Sequence, residues 1–309
     1  MPAQPAPGVG HRAGKGRYRQ HGGQHLPSLY RSGSGGGLRP ATASQELRAQ
    51  AALFVRSVRT SFAYKPALVL SMLSVAIAYL VPMLVWRHVY QARGDTLAVP
   101  ASRLFPYLLL AAALNTCFFL GVEGRIGQRI RMGLIATDLL RPVDFQLTQL
   151  SQALSDVVLN VTMVLPFLAL AYGLWGSAAL PGDGWSLLGF FASSGLALLI
   201  HFALSFIFVQ AAFVTFSNYG IFVAKSALQQ AFSGLSAPLA LFPPSLRAVA
   251  EYLPFCHTIH SPVSIYLGDV SGPAVWQVLA VQAAWAAGLL LTGRALLGLS
   301  LRYLEIQGG

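Results

Sequence analysis

Charge is what this sequence has least of. Only 10% of its 309 residues are charged, whereas soluble domains carry about a quarter, and 55% are hydrophobic. That deficit excludes an ordinary water-facing surface and is explained if most of the chain faces lipid. Acids are scarcer than bases, 10 Asp and Glu against 21 Lys and Arg. No dense array of carboxylates interrupts the apolar stretches, as a proton-coupled pump would require, which favours a drive from outside the membrane. The two cysteines, Cys117 in an apolar stretch and Cys256 after a Pro-rich loop, have no metal or redox spacing, so no disulfide or metal site is expected. HExxH and GxSxG are missing, leaving an intramembrane hydrolase as a distant reading. Gly10–Gly16 (GHRAGKG) is one residue short of a phosphate loop, has Gly16 where Ser or Thr is needed, and follows no strand. No apolar core opens the chain, so no cleaved secretory peptide is expected.

What is present divides clearly. Residues 1–43 are rich in Gly, Pro, Arg, His and Gln and cannot bury a core, so they are expected to be a disordered basic tail. Their composition fits lipid contact, nucleic acid contact or neither; beside apolar spans, anionic lipid is favoured over nucleic acid. In 44–64, Leu47, Ala51, Phe54, Val55, Val58 and Phe62 keep helical spacing, with Arg48, Arg56 and Arg59 mostly on other faces. This predicts an amphipathic helix lying on the inner membrane surface, the alternative being a cytosolic extension of the first span. Residues 65–309 hold six apolar stretches, near 66–86, 104–122, 154–176, 188–216, 221–242 and 274–299. Each reaches the roughly 20 residues that cross a bilayer as a helix. The expected fold is therefore all-α, with six transmembrane helices and both termini cytoplasmic. Lys and Arg near the span ends support this orientation. Arg48, Arg56, Arg59, Lys65, Arg125, Arg129, Arg131, Arg141, Lys225, Arg294 and Arg302 fall inside, against Arg87, Arg93, Arg103 and Arg247 outside.

The longest polar-rich interruption is 123–149, EGRIGQRIRMGLIATDLLRPVDFQLTQ. Ile126, Ile130 and Leu134 form an apolar stripe, with Arg125, Gln128 and Arg129 on other faces. Gly133 can end this helix, and 135–140 can form a second short helix that Pro142 stops. A stiff handle of this kind suits docking into a groove on a partner; the alternative is a solvated loop whose arginines only set topology. Between the last two spans, 243–269 predicts two short helices, too short to cross, dipping into the outer leaflet as a lid. His257 and His260 lie three apart there without enough companions for a metal, so interfacial packing is expected. Inside the spans, Asn115, Asp156, Asn160, His201, Gln210, Gln229, Gln230 and Gln282 are costly in lipid. Asp156 and Lys225 are expected near the inner surface. Asn160, Gln229 and Gln230 are candidates for lining a path or for bonding helix to helix.

The layout resembles the permease subunits of bacterial type-2 ABC exporters. The resemblance covers roughly residues 45–309. It is carried by IGQRIRMGLIATDLLRPVDFQ (126–146), with its Gly followed by I-A-x-D-L-L-R-P-x-D, and by LFPPSLRAVAEYLPF (241–255), PVSIYLG (262–268) and IQGG (306–309). Within that family it is similar to a subfamily described as uncharacterised or multidrug-type. The resemblance implies that Gly133, Ile135, Asp138, Leu139, Leu140, Arg141, Pro142 and Asp144 form a coupling helix gripped by a cytosolic ATPase dimer. It implies a second permease subunit, either a related partner or a second copy, and short re-entrant helices before the sixth span. The chain is then a non-enzymatic permease in the bacterial inner membrane with no cofactor of its own, ATP and Mg being bound by the ATPase. Its work would be efflux of an amphipathic or drug-like compound. The reading from another class is a membrane scaffold or regulatory subunit that recruits a partner without moving solute.

Overall fold

The computed structural model describes residues 65–93, 96–139, 143–175, 184–215 and 218–300, together with Val55. The basic tail and, Val55 apart, the amphipathic helix expected at 44–64 lie outside the described residues. Among those residues there is no strand. The helices run α1 (Lys65–Arg93), α2 (Ala101–Cys117), α3 (Val122–Arg131), α4 (Ile135–Leu139), α5 (Phe145–Trp175), α6 (Gly184–Gln210), α7 (Ala212–Thr215) and α8 (Asn218–Phe232). A 3-10 turn at Leu239–Leu241 leads to α9 (Pro244–Tyr252), α10 (Cys256–Tyr266) and α11 (Pro273–Ser300).

Three stretches, Ala101–Arg131, Gly184–Gln210 and Pro273–Ser300, are long and apolar enough to cross a membrane. At 1.5 Å per residue, α6 and α11 are about 40 Å long, more than the roughly 30 Å of hydrocarbon. Helix α6 is the hub, with α11, α10, α3 and α8 packed on it. Its Ile200, Phe202, Ala203 and Phe206 are fully buried. Small residues let neighbours close in: a Cβ on Gly189 would come within 3.1 Å of Ile265 and of Val275. Two ion pairs mark opposite ends of the bundle. Arg103 at the start of α2 meets Asp269 beyond α10 (2.9 Å), and Arg294 late in α11 meets Asp144 just before α5 (2.5 Å). These are called the lid end and the handle end.

Two departures from the sequence reading matter. The second apolar stretch does not hand over to a detached handle at residue 122. Helix α2 stops at Cys117, the chain turns through left-handed Gly121 (φ 57°), and α3 carries on inside the bundle with Val122, Glu123, Ile126, Gly127 and Ile130 buried. The stretch expected at 221–242 as one span is broken as well. Helix α8 ends at Phe232 after 15 residues, because Gly234 adopts φ 80° and Pro238 follows. Irregular backbone within an apolar helical bundle must find donors in protein, and this segment does. Trp86 Nε1 donates to Ser236 O (3.0 Å), Tyr107 Oη to Gly234 O (2.9 Å), and the His260 amide to Ser233 O (3.1 Å). Helices α1, α2 and α10 thus clamp the broken segment.

The glycines at the two breaks differ in what surrounds them. Gly133 (φ 69°) has open space where a Cβ would go, whereas a Cβ on Gly234 would lie 2.5 Å from Tyr107 Oη. Gly133→Ala should cost about 1–2 kcal/mol, the penalty of a left-handed non-glycine residue. Gly234→Ala should cost clearly more, since it also displaces the clamp. Thermal unfolding of the purified chain in detergent checks this; equal shifts for the two variants would contradict the clamp.

Candidate coupling site

Helix α3 closes in a Schellman arrangement. The Gly133 amide donates to Ile130 O (3.1 Å) and the Leu134 amide to Arg129 O (2.9 Å), with Gly133 in the left-handed region that this ending requires. The turn sends the chain into α4, whose Ile135 is buried. Arg129 grips Asp138 with two nitrogens, Nε to Oδ2 and Nη2 to Oδ1, a fork that fixes the angle between α3 and α4. Asp138 is only 12% exposed. Asp144 accepts the Leu147 amide (2.9 Å) as the N-cap of α5, while its other oxygen takes Arg294. Arg125 Nη1 reaches Asp156 Oδ2 on α5 (2.5 Å).

Asp138 and Asp144 are therefore engaged within the chain, as is the third acid of the handle, Glu123, paired with Lys225. What it offers outward is Arg131, Met132, Gly133, Leu134 and Thr137, all exposed, with Met132 at 59% and Leu134 at 41%. Leu134 leaves the expected apolar stripe because the helix ends before it. Leu140, Arg141 and Pro142 lie outside the described residues, and of Leu139 only the backbone is described.

The root of α3 holds the least expected feature. Glu123 and Lys225, each 7% exposed at the side chain, form an ion pair of 2.8 Å between α3 and α8. Lys225 Nζ also donates to Ser205 Oγ (2.6 Å) and meets His201 Nε2 (3.1 Å), both on α6. Since Lys has donors only, His201 Nε2 accepts and Nδ1 carries the proton; that Nδ1 is buried without a partner. One ammonium thus ties three helices together. The sequence reading placed Lys225 near the surface, where charge is cheap; the structure buries it. The available signal was that Lys225 is the single lysine after Lys65, and a cation in an apolar run needs a counter-charge. Nothing in the sequence selected Glu123 over Asp156.

The other polar residues mostly join helices. Asn160 Nδ2 donates to Phe119 O (3.0 Å) across the break after α2. Gln229 Nε2 donates to Thr258 Oγ1 (2.6 Å), linking α8 to α10. Gln210 Nε2 donates to Gly293 O (2.9 Å), and Gln282 Nε2 to His257 O (2.9 Å). Of the three candidate path residues, Gln230 lines a cavity. That cavity, about 360 Å³ between α1, α2 and the broken segment, is also lined by Asn115, Thr116 and Ser236.

At the lid end, α9 keeps Leu246, Val249 and Tyr252 exposed, while nine of the eleven residues of α10 are buried, Pro262 included. His257 Nδ1 meets Ser261 Oγ (2.9 Å) and His260 Nδ1 meets Tyr107 Oη (3.2 Å). Among the described residues no group of three His, Cys, Asp or Glu could hold a metal ion.

Removing one member of a buried ion pair typically costs about 3–5 kcal/mol, because the other charge is stranded; replacing both is often near neutral. Lys225→Met and Glu123→Gln should each lower the melting temperature sharply, and the double variant should regain most of the loss. Melting curves in detergent check this, and a double variant as unstable as the sum of the singles would contradict the pairing.

Searches of curated proteins and of solved structures return no match. The family model described as ABC-2 family transporter protein matches residues 70–308, a range that takes in every element from α1 to α11 apart from the first residues of α1. The chain belongs to the ABC-2 transporter family: it is a multi-pass, membrane-spanning permease subunit of an ABC transporter.

Proposed function

We propose that this permease couples ATP hydrolysis on a separate cytosolic ATPase dimer to export of a solute across the bacterial inner membrane. The observation that carries the reading is the mounting of the handle. Its outward tip is an apolar knob, Met132 and Leu134 flanked by Arg131 and Thr137, while its base is locked to α6 and α8 by the buried ion pair of Glu123 and Lys225. A loop that only set topology would need neither. With the handle end cytosolic, the ATPase grips the knob, and a second permease, a related chain or another copy, completes the transporter. ATP and Mg belong to the ATPase.

The mechanism follows from stiffness. The Arg129–Asp138 fork ties α4 to α3, and the Arg125–Asp156 pair ties α3 to α5, so a displaced tip moves α3 as a unit. Through Lys225 the push reaches α8, whose far end leads into the clamped segment at 233–237 beside the cavity faced by Gln230. Opening and closing there would expose the solute to the lid end. The ATPase must hold the two states with different strength, because tight binding alone shifts no equilibrium. The mixed lining of that cavity, with Leu108, Leu109 and Met83 beside Asn115 and Ser236, suits an amphipathic compound.

Affinity purification of the chain from gently solubilised native membranes, with mass spectrometry of its companions, tests this reading. The wild type should bring down an ABC ATPase. Met132→Glu with Leu134→Glu should lose it, as should Asp138→Asn with Arg141→Gln, while insertion into the membrane stays unchanged. Wild-type chain recovered alone, under conditions that keep a control ABC complex intact, would contradict the coupling role and favour a scaffold.

A further inference from the structure

The crook of the handle encloses a second cavity, of about 440 Å³, walled by α3, α4 and the first turns of α5. Its lining mixes polar Arg125, Gln128, Gln149 and Gln152 with apolar Met132, Leu134 and Phe145; Arg129 and Asp138 line it too, but as a pair that neutralises itself. Two features are unusual for such a site. Gln149 is only 4% exposed, lines the cavity, and its Oε1 accepts no hydrogen bond. Arg125 gives Nη1 to Asp156, yet its Nε and Nη2 are buried and donate to nothing. Buried polar groups without partners each cost about 1–3 kcal/mol. A ligand that satisfied both groups would therefore need an anionic oxygen for Arg125 and a donor of its own for Gln149.

The depth of the site narrows the source. Helix α5 is mixed from Gln146 to Asp156, with seven polar residues and four apolar ones, and largely apolar from Val157 to Trp175. The apolar part rises about 28 Å as a helix, close to the roughly 30 Å hydrocarbon core. Gln152 then lies about 8 Å beyond the hydrocarbon edge and Gln149 about 12 Å, while Arg125, paired with Asp156, sits at that edge; the inner end of the cavity therefore meets the headgroup layer of the leaflet at the handle end.

We infer that the cavity is a binding site for a phospholipid headgroup whose phosphodiester is held by Arg125 and whose terminal hydroxyl or ammonium donates to Gln149: phosphoglycerol or phosphoethanolamine. Phosphocholine has no donor and leaves Gln149 unpaired. A lipid seated there braces the angle between α3 and α5 from inside, so the handle would be stiff only in a membrane that supplies such headgroups. The inference requires only that the handle end lies at a membrane surface; it stands whether or not an ATPase grips the tip.

Native mass spectrometry tests it on the purified, delipidated chain with whatever ATPase accompanies it, titrated in mixed micelles with phosphatidylglycerol, phosphatidylethanolamine or phosphatidylcholine. Glycerol 3-phosphate and inorganic phosphate serve as soluble counterparts. Phosphatidylglycerol and phosphatidylethanolamine should each bind one tight site about fivefold better than phosphatidylcholine, the value of one hydrogen bond to a buried acceptor. Gln149→Leu should abolish that preference while still binding all three lipids weakly. Arg125→Lys, which can keep the Asp156 pair but loses the fork, should weaken all three. Equal binding of the three lipids by the wild type would overturn the proposal, as would an unchanged preference in Gln149→Leu. Equal occupancy by glycerol 3-phosphate would assign the site to a soluble phosphate compound instead. Binding by the chain alone but not by its ATPase complex would show that the ATPase fills the crook and would overturn it too.

Discussion

An ammonium group buried in a membrane bundle is tolerated only where every one of its donors is met, and Lys225 meets three partners at once: Glu123, Ser205 and His201. The partners sit on α3 and α6 and Lys225 itself on α8, so the position of one nitrogen fixes how the handle's first helix, the central helix and the broken helix lie against each other. Such a pair is poor value as a stabiliser, since apolar replacements of both partners are often at least as stable. Its value is geometric. It gives α3 one orientation on the bundle, and α4 inherits that orientation through the Arg129–Asp138 fork.

The second constraint is backbone. A helix that stops at Phe232 leaves carbonyls with no helical partners, and Trp86, Tyr107 and the His260 amide supply donors from three separate helices. A segment held only by such clamps can be released by small shifts of its neighbours, whereas an unbroken helix cannot. Lys225 lies two helical turns before this break on the same helix, so the charged anchor and the clamped segment are the two ends of a short rigid lever. That placement favours α8 as the element through which force at the handle would reach the cavity faced by Gln230.

Much of this was legible in the sequence, and the reasons are local. The apolar runs at 188–216 and 274–299 have the length of a span, and α6 and α11 follow them closely. Gly133 and Pro142 bracket the short helix of the handle, and Gly133 ends α3 as its freedom at positive φ allows. What was not legible depends on tertiary pairing. Asp138 and Asp144 look like charge offered to a partner, but each answers an arginine of the same chain, one nine residues away and one on α11. The burial of α3 could not be read from a segment whose polar content is high, because its apolar stripe is satisfied by α6 and α8, distant in sequence. The break at Gly234 was hidden within an apolar run whose composition alone reads as one span.

The central claim is that motion of the handle is delivered to the 233–237 segment through the Glu123–Lys225 pair. It is tested most directly by the reactivity of a Ser236→Cys probe, in a background with Cys117 and Cys256 replaced by serine, toward a water-soluble maleimide in the purified complex with and without ATP and vanadate. The account predicts a nucleotide-dependent change in labelling rate in the otherwise native chain, and its loss in the Glu123→Gln, Lys225→Met double variant although that variant folds and retains its ATPase. The same nucleotide-dependent change in the double variant would contradict it.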